Sequence, residues 1–526
     1  MTNQFHDHFN AAVWLVDRHV DEGRGDRTAV ICQDRTLTYT QVQAEVHRAA
    51  AAFRALGVRP EERVAMAVLD SVEFVAAFLG AMRIGAVPLA MNPLLPGRDL
   101  AVIAADARAR VAVVSGPMAG KVEELRAGAP ELRTVLVTDT EAWDQFLAAG
   151  DGGDPAAYDT WAESPGFWLC TSGSTGRPKL AAHRHGDIRV TCETYARSVL
   201  GAGPEDRFYS VGPMFHAYGL GNSLSFPFAV GATAILEPTR PPTPALVAEL
   251  VTRHRPTLFF CIPTFYAALL AADLPADTFD SVRYGVSAAE SLPAETFERF
   301  QERHRLTILD GIGSTELLHI YLSNAPGAIK AGTSGIPVEG YEVRIVDDEG
   351  NIQPPGEPGQ LLVRGDSVTT GYWCRTETNR ATFDGAWMRT GDLYDRDGEG
   401  FYTYLGRVDD MLRVGGEWVS PAEVEGVLIE HPEVLEAAVV GERDPDGVLR
   451  PVAHVIPIGS EGGSESGSEG GPVDGGGTDG AALIEAMTEL CRDRLAGYKR
   501  PKRYELVTEL PKTATGKIQR FKLRAE

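Results

Sequence analysis

The chain has 526 residues and a formal net charge of −23, from 50 Lys and Arg against 73 Asp and Glu. This length predicts at least two domains, and the acidic balance argues against a nucleic-acid-binding protein. The six cysteines lack zinc-type spacing, and we find no signal peptide and no apolar run long enough for a bilayer, so we expect a cytoplasmic protein without membrane or nucleic-acid partners.

The first four hundred residues alternate helix-like and strand-like segments. Residues 39–58 have helical periodicity with a glycine near the end. Residues 62–69 and 86–91 read as buried strands on either side of a helical segment at 71–85. Because this strand–helix–strand order recurs, we expect α/β layers with largely parallel sheets.

A domain boundary is predicted close to residue 408. Gly-rich turns precede it, and a smaller unit follows in which Ser420-Pro421 opens a helix. We therefore divide the chain into residues 1–408 and 409–526. Residues 459–480 are almost entirely Gly, Ser, Glu and Asp, which predicts a flexible surface loop because such a composition buries no apolar surface.

A dense Ser/Thr/Gly segment follows an apolar strand pattern at 166–170. Glycines let backbone N–H groups approach phosphate oxygens, and hydroxyl groups and a lysine add donors and charge. The segment is not a Walker loop, because the GxxxxGK[ST] spacing is missing. Its composition alone fits a phosphate-binding loop and an ordinary loop about equally. The candidate phosphate-binding residues are Thr171, Ser172, Gly173, Ser174, Thr175, Gly176 and Lys179.

This segment resembles the phosphate loop of the adenylate-forming superfamily, which includes acyl-CoA synthetases, carrier-protein adenylation domains and luciferases. The resemblance covers essentially the whole chain apart from residues 459–480. It implies an α/β multidomain fold with a large N-terminal domain of layered sheets, a β-barrel-like subdomain, and a small α+β C-terminal lid domain. Further motifs of the superfamily follow in the expected order, at Gly313–Glu316, Tyr372-Trp373, Thr390–Asp392, Gly406–Asp410 and Pro511–Lys517.

The resemblance also implies roles in binding ATP. Glu316 is expected to bind Mg²⁺, since a hard cation that bridges phosphates prefers a carboxylate, and Thr315 is expected to donate to a phosphate oxygen. Taken alone, this pair is typical of a helix start with Thr as the cap. Asp392 is expected to accept hydrogen bonds from the ribose hydroxyls, with Arg407 near the ribose and phosphates. Without the resemblance, these two residues read as a turn residue and an exposed arginine.

The adenine is expected to lie against two further segments. Ala289 stands where the superfamily usually has glycine, and Ile312 stands where it usually has an aromatic residue. Both departures weaken the expected adenine contacts, and core packing is a strong alternative for Ile312. The candidate residues on the adenine side are Ala288, Ala289, Glu290, Asp310, Gly311 and Ile312.

Lys517 is the residue to which the resemblance assigns the first half-reaction. A cation close to the attacking carboxylate would orient the acid and stabilise charge in the transition state. Lys512 is the lower-ranked alternative, and a lysine near a C-terminus is otherwise typically solvated. The family rotates its small domain between half-reactions. Asp409 matches the hinge of that rotation, and Gly415 and Gly416 match the turn that lines the CoA tunnel.

The segment that begins at His216 lies where the family has an aromatic gate, which makes His216 a catalytic candidate. Together with residues 311–324, it looks most like benzoate–CoA ligases and related aryl-CoA ligases. A flat slot closed by Tyr218 and Ile320 suits one aromatic ring. Tyr218 and His319 either hydrogen-bond a ring hydroxyl or amine, or only shape the pocket. The candidate pocket residues are Ala217, Tyr218, Gly219, Gly311, His319 and Ile320.

The resemblance thus implies an ATP- and Mg²⁺-dependent aryl-CoA ligase that acts through an aryl-adenylate. Its partners would be a benzoate, hydroxybenzoate or aminobenzoate, ATP and CoA, with a homodimer as one possible assembly. One alternative is a stand-alone enzyme that loads an aryl acid onto a carrier protein. Another is a non-catalytic nucleotide-binding scaffold, against which the intact Lys179, Glu316, Asp392 and Lys517 argue.

Overall fold

The structure is a computed structural model that describes residues 8–171, 178–408, 410–414, 417–444, 448–458, 480–511 and 518–523. The helix predicted at 39–58 is present as Tyr39–Ala55. It begins with a capping box, in which the Gln41 N–H donates to the Thr38 hydroxyl at 3.3 Å and the Gln41 side chain accepts from the Thr38 N–H at 2.8 Å.

The first sheet has six strands. The last two strands in its order pair with each other and flank the segment that is predicted to bind phosphate. Only the final two strands pair in antiparallel fashion; the others are parallel. Two of the inner strands, Val87–Ala90 and Val111–Val114, are buried along their whole length, as parallel strands covered on both faces are. The spatial order is Thr134–Val137, Val111–Val114, Arg63–Ala67, Val87–Ala90, Pro165–Thr171 and Lys179–Arg184.

The second sheet has nine strands, of which the central ones are parallel and the outer ones antiparallel. In such sheets, ligands bind beyond the carboxyl ends of the parallel strands. The spatial order is Ile336–Pro337, Ile320–Ser323, Ile308–Gly313, Tyr284–Ser287, Leu258–Cys261, Arg207–Ser210, Thr233–Leu236, Thr28–Cys32 and Arg35–Thr38.

Helices cover these two sheets, which matches the predicted α/β layering. Among the described helices, none combines the length and the apolar character needed to cross a bilayer. The covering helices include Val72–Arg83, Gly97–Asp106, Val122–Gly128, Glu141–Ala148, His185–Thr191, Ala217–Leu220, Phe226–Val230, Pro244–His254, Pro263–Ala271 and Ala294–His304.

A third, antiparallel sheet corresponds to the subdomain that was expected to be barrel-like. Its described pairings join five strands as an open sheet. In sequence, the helix Thr376–Thr382 directly precedes the strand Phe383–Asp384 of this sheet. The strands are Glu342–Val346, Gly359–Arg364, Phe383–Asp384, Trp387–Arg396 and Tyr402–Arg407.

The C-terminal part has its own hydrophobic core, which includes Leu412, Val439 and Met487. As expected, Ser420 caps a helix, Pro421–Ile429, by accepting from the Glu423 N–H at 3.1 Å. This part is α+β, as predicted. Its other elements are Leu412–Val414, Glu417–Val419, Val434–Arg443, Leu449–Pro457, Gly480–Arg494 and Arg503–Leu506.

Candidate functional site

Tyr372 links two residues that the sequence assigns to ATP binding. Lys179 is the first residue of the strand that follows the predicted phosphate loop, and it pairs with Thr171 on the neighbouring strand. Its Nζ donates to the Tyr372 hydroxyl at 3.4 Å and lies 4.4 Å from the ring centroid. The same hydroxyl donates to Glu316 Oε1 at 2.6 Å. Tyr372 lies in one of the superfamily motifs, but its sequence position predicts no role for it, because only the folded chain places it between Lys179 and Glu316.

Burial raises the pKa of Tyr372, and the neighbouring Glu316 carboxylate raises it further. The phenol therefore keeps its proton and acts as the donor to the carboxylate. A charge-assisted hydrogen bond of this length is among the stronger ones in proteins. Tyr372 thus fixes the orientation of Glu316, which is itself 8% exposed.

The turn Thr315–Leu317 presents Glu316 to this cluster. Its cap is Ser314, whose hydroxyl accepts from the Leu317 N–H at 3.3 Å. The cap is therefore one residue earlier than in the simple helix-start interpretation, and Thr315 is not required as the cap. The Glu316 carbonyl accepts from the Thr369 N–H at 2.7 Å, which ties the turn to a neighbouring loop.

Asp392 and Arg407 face each other on adjacent strands. The Arg407 Nη1 donates to Asp392 Oδ1 at 2.9 Å and to the Thr390 carbonyl at 2.8 Å. Gly391 has φ +74°, and a Cβ there would lie 2.7 Å from Arg407 Nη2. A glycine is thus needed for the arginine to approach. The structure brings together the two residues that the sequence assigns to the ribose end of the nucleotide.

The backbone conformation at Ala289, one of the residues predicted to lie near the adenine, accounts for one departure from the superfamily pattern. Ala289 has φ +78°, a left-handed conformation that glycine adopts without strain and alanine does not. The preference for glycine at this position therefore has a backbone cause. Ala288 is buried beside it, and Glu290 is partly exposed.

The strand Ile308–Gly313 carries the other adenine-side candidates. The Asp310 side chain is buried, and this burial raises the pKa of its carboxyl well above the usual range. A Cβ on Gly311 would lie 2.6 Å from the Leu322 carbonyl and 2.9 Å from a methyl of Ile320, so the packing requires glycine. Ile312 is half-buried and packs against the main hydrophobic core, which supports the core-packing alternative for this residue.

His319 is held in the predicted acid pocket by a hydrogen-bonded chain. Its Nε2 lies 3.1 Å from Asn222 Oδ1, and the Asn222 amide nitrogen donates to the Ser210 hydroxyl at 3.4 Å. Burial lowers the pKa of His319 to about 3, so the ring is neutral at physiological pH. Asn222 is not among the predicted site residues, because nothing in the sequence indicates that an asparagine in an apolar segment bonds to His319.

The Tyr218 hydroxyl is hydrogen-bonded to backbone carbonyl groups. It donates to the carbonyls of Cys261 at 3.2 Å and Val286 at 3.1 Å, both at or near the carboxyl ends of parallel strands. The Tyr218 and His319 ring centroids are 5.6 Å apart. This geometry favours the interpretation in which Tyr218 shapes the pocket. Ala217 and Ile320 are both buried.

His216 directly precedes the short helix Ala217–Leu220. Its Nε2 is buried and has no hydrogen-bond partner among the described residues. Burial lowers the pKa of His216 to about 4, so the imidazole is neutral. Gly219 lies in the same helix, and a Cβ there would be 2.1 Å from the Pro213 carbonyl, so the close turn requires glycine.

Several predicted residues lie outside the described residues, and their roles stay predictions. The two sides of the gap at 512–517 are hydrogen-bonded to each other, since the Gln519 N–H donates to the Pro511 carbonyl at 2.7 Å. Arg520 binds Glu425 with two hydrogen bonds, at 3.1 and 2.7 Å. The residues outside the description are Ser172, Gly173, Ser174, Thr175, Gly176, Asp409, Gly415, Gly416, Lys517 and the greater part of 459–480.

Comparison with known proteins identifies the family. Residues 16–373 match the model of the AMP-binding enzyme family, and residues 423–517 match that of the AMP-binding enzyme C-terminal domain. The chain is 44% identical to the benzoate–CoA ligase of Thauera aromatica, covering 98% of this chain and 96% of that protein.

Two solved structures are similar over almost the whole chain. The anthranilate CoA ligase AuaEII in complex with anthranoyl-AMP has a TM-score of 0.90 at 39% identity, covering 98% of this chain and 96% of that one. A benzoate CoA ligase from Burkholderia xenovorans LB400 has a TM-score of 0.88 at 40% identity, covering 98% and 100%. The chain therefore belongs to the AMP-binding enzyme family, with its large N-terminal and small C-terminal domains.

Proposed function

We propose that this protein is an AMP-forming aryl-CoA ligase for a benzoate-type acid. The carboxylate oxygen of the acid attacks the α-phosphorus of ATP and expels pyrophosphate, which gives an aryl-adenylate. The thiol of CoA then attacks the carbonyl carbon, AMP leaves with the former carboxylate oxygen, and the thioester forms. The activation is needed because a carboxylate is a poor electrophile with a poor leaving group.

One observation carries this proposal. A single segment from Asp310 to Ile320 carries residues predicted for the acid pocket and also the turn with Glu316, which Tyr372 joins to Lys179. The acid and the phosphates would therefore meet along one short stretch of chain. Relatives over nearly the full length are named as ligases of benzoate and hydroxybenzoates with CoA, which supports the same assignment.

The residues at the phosphate end fit a magnesium–ATP complex. Magnesium in ATP-binding enzymes is typically held by one or two carboxylates together with substrate phosphates. Among the described residues, no group of three His, Cys, Asp or Glu side chains could hold a metal by itself, and Glu316 offers one oriented carboxylate. Magnesium would neutralise phosphate charge there. Lys179 would add positive charge, and Thr315 would donate to a phosphate oxygen.

The other nucleotide contacts follow from the paired strands. Asp392, oriented by Arg407, would accept from the ribose hydroxyls. Lys517 would approach the acid and the ribose during adenylation, carried by the C-terminal domain. We place the domain boundary between residues 408 and 409, because the last strand of the large domain ends at Arg407 and a separate core begins at Leu412.

The acid pocket suits a single uncharged ring. His319 is neutral, the Tyr218 hydroxyl is occupied, and Gly311 packs directly against Ile320. Such a pocket binds a benzene ring by shape and apolar contact. CoA is the favoured acceptor over a carrier protein, because CoA ligases are among the relatives with higher identity than the p-hydroxybenzoic acid–AMP ligases.

The proposal is tested by measuring pyrophosphate release with benzoate, hydroxybenzoates, aminobenzoates, cinnamates and short fatty acids. Each acid is assayed with CoA and, separately, with an aryl carrier protein. We expect release with benzoate-type acids and thioester formation on CoA. Pyrophosphate release driven only by fatty acids, or acylation of the carrier protein alone, would contradict the proposal.

A further inference from the structure

His183 is a buried residue to which the proposed reaction gives no role. It lies in the strand Lys179–Arg184, directly after the phosphate loop, and its side chain is 0% exposed. The Nδ1 atom is 2.9 Å from Asp187 Oδ2, and the Nε2 atom is 2.7 Å from the Thr315 carbonyl oxygen. The ring also stacks on Phe167, with centroids 5.2 Å apart and the planes 14° from parallel.

Both ring nitrogens of His183 face hydrogen-bond acceptors. The Thr315 carbonyl only accepts, so Nε2 carries a proton. The Asp187 carboxylate accepts from the Arg184 N–H and from Arg184 Nε, each at 2.9 Å. The Nδ1 atom faces the same carboxylate, so Thr315 and Asp187 hold the ring from two sides.

His185, two residues further on, provides a contrast. Its Nδ1 accepts from the Ala11 N–H at 3.1 Å, and burial lowers its pKa to about 3. That ring is therefore neutral and contacts the N-terminal segment. The two histidines are similarly buried, but only His183 bonds to the turn that carries Glu316.

The bond between His183 and Thr315 joins two parts of the nucleotide site. Lys179 stands at the start of the strand that carries His183, and Glu316 follows Thr315 in its turn. The bond thus fixes the distance between the phosphate-loop strand and the turn with the magnesium ligand.

We propose that His183 is a positioning residue that clamps the Thr315–Leu317 turn to the phosphate-loop strand and so sets the magnesium–ATP site. This inference rests on the proposed nucleotide-binding role of Thr315 and Glu316. It predicts that the Nε2 bond, not the Nδ1 bond, governs nucleotide binding, since only Nε2 reaches the turn.

Two substitutions separate the bonds of His183. In His183→Gln, the side-chain nitrogen takes the place of Nε2 and still donates to the Thr315 carbonyl. In His183→Asn, the nitrogen takes the place of Nδ1, retains the Asp187 bond and stops short of Thr315. We expect His183→Asn to raise the KM for ATP and the magnesium requirement about tenfold, whereas His183→Gln stays within about threefold of wild type. Thioester formation from pre-made aryl-adenylate should change little in either variant.

The matched control is His185→Asn, whose amide oxygen still accepts from Ala11. It should lower stability without raising the KM for ATP. Direct titration with magnesium and a non-hydrolysable ATP analogue gives a readout that does not need turnover. If wild type binds the analogue but no aryl acid releases pyrophosphate, the proposed function is wrong while the clamp remains measurable. Equal weakening by Asn and Gln at position 183, or unchanged binding in His183→Asn, would overturn the clamp.

A spectroscopic measurement on the wild-type chain covers the case in which a variant fails to fold. With histidine labelled by ¹⁵N, the Nε2 atom of His183 should carry a proton, since it faces the Thr315 carbonyl oxygen, and the ring signals are assigned by their loss in whichever variant folds. An Nε2 atom without a proton would overturn the proposal.

Discussion

Tyr372 is the residue on which the geometry of the phosphate end depends most directly. Tyr372→Phe keeps the ring beside Lys179 but removes the donor to Glu316 Oε1. A hydrogen bond to a charged group contributes about 1.5–3 kcal/mol, so we expect adenylation to slow by roughly 10- to 100-fold. The magnesium titration should shift to higher concentration, as measured by pyrophosphate release.

The control for this substitution is Tyr39→Phe, which removes a buried hydroxyl that donates to the Ala232 carbonyl at 2.8 Å, outside the candidate site. It should cost stability and leave the magnesium titration where it is. If the magnesium titration were unchanged in Tyr372→Phe, the Tyr372 hydroxyl would not be needed to orient the proposed metal ligand, Glu316.

Tyr218 permits a test of how the pocket recognises its acid. Tyr218→Phe leaves the Cys261 and Val286 carbonyls without this donor, which should cost about 1–3 kcal/mol of stability. Because the hydroxyl is already occupied, kcat/KM for benzoate and for 4-hydroxybenzoate should fall by similar factors, with their ratio unchanged to within about twofold. A selective loss for the hydroxylated acid would show instead that the phenol contacts the ring substituent.

At the scale of single residues, the sequence identified the chemistry but not the partners. Glu316 and Lys179 were recognisable from ordered motifs, whereas their bridge through Tyr372 joins positions far apart in the chain. Asn222 and His183 gave no signal for the same reason. Ala289 was noticed as a departure from glycine, and its φ of +78° supplies the cause, which only the folded backbone reveals.

The segment after Pro511 is the element that would deliver Lys517 in the proposed mechanism. Arg520 holds the far side of this segment through two hydrogen bonds to Glu425, which also accepts from the Val439 N–H at 2.7 Å. Arg520→Lys cannot make both bonds to the carboxylate. We expect it to slow adenylation by about tenfold and to spare thioester formation from pre-made aryl-adenylate, as measured in separate half-reaction assays.

Arg494→Lys is the matched control, since Arg494 pairs with Glu430 at 3.3 Å and its side chain is 61% exposed. Exposed ion pairs contribute little, so both half-reactions should proceed normally. Equal slowing of both half-reactions in Arg520→Lys would mean that the pair stabilises the C-terminal domain in general and does not position the lysine segment.

The secondary-structure elements were the features of the fold that could be predicted best from the sequence. The helix Tyr39–Ala55 and the strands Arg63–Ala67 and Val87–Ala90 follow from periodicity and turn residues alone. The order of strands within the nine-stranded sheet does not, because its neighbours are brought together by long crossovers. The barrel-like subdomain came from the resemblance, and the described pairings show it as an open antiparallel sheet.

At the scale of the whole molecule, the main hydrophobic core and the core that includes Leu412 are separate clusters of residues, on the two sides of the boundary that we propose. The Ser420 hydroxyl donates to the Leu405 carbonyl across that junction. Hinge motions typically involve only a few residues at such a junction. We therefore expect the two half-reactions to use different arrangements of the same two domains.

Lys517→Ala tests this expectation. Removing one cation that stabilises the transition state should slow adenylate formation by about 10²- to 10³-fold, because the lysine acts only while the small domain faces the acid and ATP. Thioester formation from pre-made aryl-adenylate and CoA should be largely retained, since that step would use the other arrangement. Lys512→Ala serves as the control in the same motif. If both half-reactions fell equally in Lys517→Ala, or if Lys512→Ala alone blocked adenylation, the assignment of Lys517 to the first half-reaction would be wrong.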